Sequence, residues 1–196
     1  LLADTIGNLV TRVLRFIDKN YGGRIPALAP EHREAQDRAI LTECGAFGDP
    51  AAFVREFRFR RACEQLMDNA RVANVFVDKT APWALRKTDP VLAASTLNTC
   101  CEWLAWLARW MAPFLPGKAQ RVWEMLGQPG EVRAQPWPGV PSAATWRSRS
   151  LRARTTSRAG LFPAGASVAN AMSVLVTADD SDGSPRCTRL MASTRS

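Results

Sequence analysis

Histidine and tyrosine are almost absent, with one of each, His32 and Tyr21, in 196 residues. A single histidine rules out any catalytic loop or metal site that needs two. The five cysteines, Cys44, Cys63, Cys100, Cys101 and Cys187, include no Cys-x-x-Cys pair, which removes zinc-knuckle chemistry. Their odd number and the vicinal Cys100–Cys101 suit a reducing, cytoplasmic compartment better than a disulfide-stapled fold. No apolar run approaches the roughly 20 residues of a membrane-spanning helix. The start has neither the charged segment nor the cleavage site of a secretory signal. No Gly-rich phosphate loop follows an apolar strand, and no nucleophile stands beside a base. The chain opens without Met and already in helical pattern, so it reads as a segment of something longer.

Negative charge is also in short supply. The net charge is +8 and the pI about 9.9, which suits nucleic acid or another polyanion as partner. The excess is uneven. Residues 1–130 hold 17 Lys/Arg against 14 Asp/Glu (net +3), and residues 131–196 hold 9 against 4 (net +5). The high pI therefore speaks more for the end of the chain than for its beginning.

Helical periodicity dominates the first 130 residues. Ile6, Leu9, Val10, Val13 and Ile17 recur by three and four, predicting a helix from Ala3 to about Asn20. Its other face carries Asn8, Arg12, Arg15 and Lys19 as one stripe of an amide and three cations. Gly22–Gly23 ends it, and Ile25 to Pro30 reads as a stiff connector. A polar covering helix is expected from Glu31 to Phe47, with His32 at its exposed start and without a role. Asp49-Pro50 supplies an N-cap and a first-turn proline, predicting one long helix to about Thr80 with Phe53, Phe57, Ala62 (or Cys63), Leu66 and Ala73 inward. Arg55, Arg58, Arg60 and Arg61 on that helix are interleaved with Glu56 and Glu64 and read as a solvated surface. Asp89-Pro90 repeats the start signal for a helix to Met111. Its Trp103, Trp106 and Trp110 read as bundle core, because indoles bury large areas. A last helix runs from Pro116 through Leu126 to Gly127. Short links between long helices imply an all-α, antiparallel helical bundle. From 131 to 196, Pro136, Pro138 and Pro141 and an Arg/Ser/Thr/Ala run predict a largely irregular, disordered C-terminal tail.

The organising stretch is Arg71 to Lys87. Pro82 cannot continue a helix, so Trp83 is expected at a corner beside Arg86 and Lys87. An indole there can plug the core or offer a flat face to an unstacked nucleobase, a contact worth roughly 1–3 kcal/mol. Chemistry alone favours the plug.

Four motifs favour the other reading. Asn74, Phe76, Val77, Pro82, Trp83, Leu85 and Lys87 form an Asn-x-aromatic-hydrophobic-x(4)-Pro-Trp-x-Leu-x-Lys pattern. With Ala3–Leu14, Met111–Pro116 and Val122–Gly127 it resembles, in order, the anticodon-binding domain of methionyl-tRNA synthetases. The resemblance covers about residues 1–130. It implies that Trp83 stacks an anticodon base at an angle set by Pro82 and that Asn8 and Arg12 read base edges, with Phe16, Asn74 and Lys87 in support. The partner it implies is the anticodon stem-loop of tRNA. The parent enzyme would use ATP to join methionine to that tRNA on a class I catalytic domain. The two signature loops of that domain, His-Ile-Gly-His-like and Lys-Met-Ser-Lys-Ser-like, do not occur in this chain. Catalytic residues, metal ligands and a cofactor of its own are therefore not expected here. Two alternatives stand beside this reading: the equivalent domain of another class I synthetase, and a non-catalytic helical interaction module whose basic tail binds polyanions.

Overall fold

The computed structural model describes residues 2–43 and 50–137, which form seven α-helices, one 3-10 turn and no sheet. The order is α1 (Leu2–Tyr21), α2 (Pro30–Glu43), α3 (Pro50–Arg55), α4 (Phe59–Thr80), α5 (Pro82–Thr88), α6 (Pro90–Met111), α7 (Pro116–Met125) and the turn Val132–Ala134. The expected all-α bundle is what forms. No helix of the described residues is long and apolar enough to cross a membrane.

The bundle is arranged around α6. Every residue from Ser95 to Met111 is buried, because α1, α2, α4, α5, α7 and the 3-10 turn all pack on this helix. Asp89 caps its start by accepting from Leu92 N–H at 2.9 Å, as the Asp-Pro signal implied. Trp103 and Trp110 meet edge to face at 6.4 Å and Trp106 and Trp110 at 5.4 Å, a geometry that aromatic quadrupoles favour. Trp103 donates to the Asn69 carbonyl at 3.3 Å, tying α6 to α4. On α1, Ile6, Leu9, Val10, Val13, Leu14 and Ile17 are all in the core.

Polar α2 is fastened through charge. Arg33 donates to Glu102 of α6 at 3.0 Å and pairs with Asp37 at 3.2 Å, both carboxylates being buried. His32 is not the exposed residue expected: it is half-buried, with Nδ1 3.2 Å from Ser95 Oγ. It lies on the face of α2 that meets α6, so it serves packing. The expected extension of α2 to Phe47 falls outside the described residues.

The single helix expected from Asp49-Pro50 to Thr80 is instead two. α3 closes at Phe57, which adopts φ 58°. Arg58 N–H bonds the Phe53 carbonyl at 2.8 Å and Phe57 N–H bonds Val54 at 3.0 Å. This is a Schellman closure, usually built on glycine at the left-handed position. Phe57 is thereby turned outward, 79% exposed, and does not join the core as expected. The break lets α3 fold back along α4 and bury Pro50 and Ala51. A straight extension would carry both into solvent.

At the other end, α7 closes with the same motif on Gly127, φ 64°, through Gln128 N–H to Trp123 and Gly127 N–H to Glu124. Packing then continues past residue 130. Val132 is buried and its N–H reaches Gln120 Oε1 at 2.8 Å, and Trp137 lies against the core. The irregular tail expected from 131 is therefore packed chain at Val132 and Trp137, and residues 138–196 lie outside the described residues.

Candidate nucleic-acid interface

The site is built on a corner one residue long. α4 ends at Thr80, and Ala81 takes the left-handed conformation, φ 39°, ψ 62°. Its N–H closes α4 on the Val77 carbonyl at 3.0 Å, and its carbonyl accepts from Ala84 and Leu85, opening α5. Pro82 is the first residue of α5, where a missing N–H costs nothing. Pro82 is buried and Trp83, next to it, is 41% exposed. Burial of the proline ring fixes the direction in which the indole projects.

α1 runs beside this corner. The Arg12 guanidinium lies 5.2 Å from the Trp83 ring centroid, within cation–π range. The same group donates through Nη2 to Asp78 Oδ1, one turn of α4 before the corner. Arg12 is thus held by a ring and a carboxylate from two sides, and its exposure is modest. Asn8, one turn N-terminal on α1, is exposed and shares the Arg12 face. The structure therefore brings Arg12, Pro82 and Trp83 together directly, with Asn8 on the same side of the molecule.

The three supporting residues separate. Asn74 turns into the α1–α4 seam, where Nδ2 donates to the Thr5 carbonyl at 3.3 Å and to Ala70 at 3.0 Å. It sets how α1 lies on α4 and so where Arg12 meets Trp83. Phe16 is partly buried and packs on the core, with its carbonyl held by Asn20 Nδ2 at 2.9 Å. Lys87 is exposed near the end of α5. Two residues outside the expected set shape the site. Asp78 orients Arg12. Arg86 donates to Asn20 Oδ1 at 2.7 Å and sits 5.9 Å from the Tyr21 ring, tying α5 to the end of α1. The i−5 position of Asp78 relative to Trp83 is a usable signal only once the corner is known to reverse the chain there.

A protruding indole, a guanidinium and an amide on adjoining helices can stack and hydrogen-bond a planar heterocycle. Residues 51–174 match the family described as the anticodon-binding domain of tRNA ligase, and the chain belongs to that family. Within it, the chain is similar to methionine–tRNA ligases. It is 36% identical to the enzyme of Chlorobaculum tepidum over 146 residues, covering 74% of this chain and 20% of that protein. It is 34% identical to the enzyme of Bifidobacterium animalis subsp. lactis over 141 residues, covering 71% and 22%. Among solved structures, Mycobacterium tuberculosis methionyl-tRNA synthetase in complex with methionyl-adenylate superposes with a TM-score of 0.53 at 26% identity, covering 65% of this chain and 26% of that one. The chain thus spans about a fifth of the length of the curated relatives it matches.

Proposed function

We propose that this chain reads the anticodon of methionine tRNA as the recognition part of a methionine–tRNA ligase. The observation that carries the proposal is the outward Trp83 indole with the Arg12 guanidinium on it and Asn8 one turn away. Trp83 stacks a base splayed from the anticodon loop, and Pro82 sets the ring's angle. Asn8 and Arg12 bond base edges, for which an amide and a guanidinium suit because each makes paired contacts. Asp78 keeps Arg12 in position in the free protein, so little ordering remains for the binding step. Aminoacylation with ATP belongs to the remainder of such an enzyme. Energy gathered at the anticodon, remote from the reacting atoms, positions the acceptor end and separates cognate from non-cognate tRNA.

The test is binding of the 196-residue chain to an RNA stem-loop carrying the methionine anticodon and to the same stem-loop with the anticodon scrambled, at several salt concentrations. Preference for the methionine anticodon that persists as salt rises is the expected result. Equal affinity for both, with a steep salt slope, identifies simple charge attraction and transfers the chain to the class of non-catalytic helical modules with a polyanion-binding tail.

A further inference from the structure

We infer that the C-terminal half of α1 is a phosphate track, on which Arg15 and Lys19, joined by Arg86 of α5, carry the backbone of the RNA strand whose bases meet Trp83. The inference rests on the proposed function and extends its footprint along α1. At 3.6 residues per turn, Asn8, Arg12, Arg15 and Lys19 lie within about 60° of one another around the helix, and Arg12 to Lys19 spans about 10 Å of its length. Arg15 and Lys19 are exposed, while Val13, Leu14 and Ile17 hold the opposite side of the same turns in the core. The track therefore sits on a rigid, anchored element. Arg86 is aimed beside it by its bonds to Asn20 and Tyr21.

The charge state of these groups separates them from the other basic region. On and beside α4, Arg58 pairs with Glu56, Arg60 and Arg61 with Glu64, and Arg71 with Asp68, at 2.8–3.2 Å. Among the described residues, Arg15, Lys19 and Arg86 have no carboxylate partner. The nearest carboxylates do not compensate them. Asp78 is taken by Arg12, and Asp18, about 60° round the helix from Arg15, makes no ion pair among the described residues. Cations left unpaired in line with a base-binding ring have counterions to exchange for phosphates, whereas the four arginines on and beside α4, sharing three carboxylates, have fewer to release. Phosphate contacts position a strand without reading its sequence.

The experiment compares the wild-type chain, Arg15→Gln/Lys19→Gln and Arg60→Gln/Arg61→Gln with the methionine-anticodon and scrambled stem-loops across a salt series. Helix content and melting temperature of each variant confirm that it folds. The track requires the α1 variant to weaken both RNAs by the same factor, to reduce the salt slope by about 0.7–0.9 per residue removed, and to leave the anticodon preference unchanged. The α4 variant should keep most of the wild-type slope. An α1 variant with wild-type slope and affinity, in a protein that still prefers the methionine anticodon, overturns the track and leaves the base-reading patch intact. A wild-type chain without anticodon preference overturns the proposed function, and this inference with it.

Discussion

Four of the seven tryptophans illustrate two different uses of one side chain. On α6, Trp103, Trp106 and Trp110 recur by three and four, are at most 3% exposed, and touch one another edge to face. On α5, Trp83 follows a proline at a one-residue corner and remains 41% exposed against a guanidinium. Residue type does not distinguish them; backbone context does. A regular helix places a three-and-four stripe wherever the helix packs, and α6 packs on every side. The Ala81–Pro82 corner instead redirects the chain just before the ring, so the ring takes its direction from the corner rather than from a helical stripe.

The comparison can be broken from either end. Trp103→Ala opens a cavity in the middle of α6 and removes the indole's bond to the Asn69 carbonyl of α4. It should cost about 3–5 kcal/mol of folding free energy, read by chemical denaturation. Trp83→Ala removes a ring that is 41% exposed, so stability should change less. Binding to the methionine-anticodon stem-loop should instead weaken by about 1–3 kcal/mol, with Trp83→Phe retaining part of it. If Trp83→Ala unfolds the protein as Trp103→Ala does, while affinity per folded molecule holds, the two indoles have the same job.

The interior of α6 can be sharpened by pH. Burial pushes the Cys100 thiol from the ordinary 9.0 up to about 12, and burial with the adjoining Cys100 and Glu102 raises Cys101 well above 9.0. Both are therefore neutral in the fold over the range in which the unfolded chain ionises. Above pH 9 the unfolded state binds fewer protons than the native state, so stability falls as pH rises. The loss is about 1 kcal/mol per thiol between pH 9 and 10. Stability measured from pH 8 to 10.5 should drop more steeply for wild type than for Cys100→Ala/Cys101→Ala. Equal slopes would show that solvent reaches these thiols in the fold.

Much of this was legible in the sequence where local signals are strong. The stripe on α1, the Asp-Pro start of α6, the stop at Pro82 and the closure at Gly127 each rest on one or two residues with a direct backbone consequence, and each appears in place. The likeness to a known family singled out Asn8, Arg12, Pro82 and Trp83, and the fold assembles the last three in contact or in sequence. What was not legible is tertiary. Nothing local shows that Asn74 turns to the Thr5 carbonyl, that Asp78 meets Arg12 across 66 residues, or that Arg86 reaches back to Asn20. Helix α5 was missed because seven residues, Pro82–Thr88, are too few to establish a period.

The α3–α4 break was missed for another reason, and it supplies the smallest predicted effect. Helix closure at a left-handed residue is ordinarily announced by glycine, and here the position holds Phe57 at φ 58°. The sequence Glu56-Phe57-Arg58-Phe59 therefore reads as uninterrupted helix, with Phe57 on an apparent core stripe. A side chain with a Cβ pays steric cost in that conformation. Phe57 recovers little of it through burial, since its main aromatic contact is an edge-to-face approach to Phe59 at 6.1 Å, itself half exposed. Phe57→Gly relieves the steric cost but lets the unfolded chain gain freedom, so the net gain is small, about 0.5–1 kcal/mol. Anticodon stem-loop affinity should not move, because Phe57 precedes the start of α4 and Trp83 follows its end, with the whole of Phe59–Thr80 between them. A rise in melting temperature of the 196-residue chain with unchanged RNA affinity would mark Phe57 as a ring held outward by a backbone closure, with no part in RNA binding.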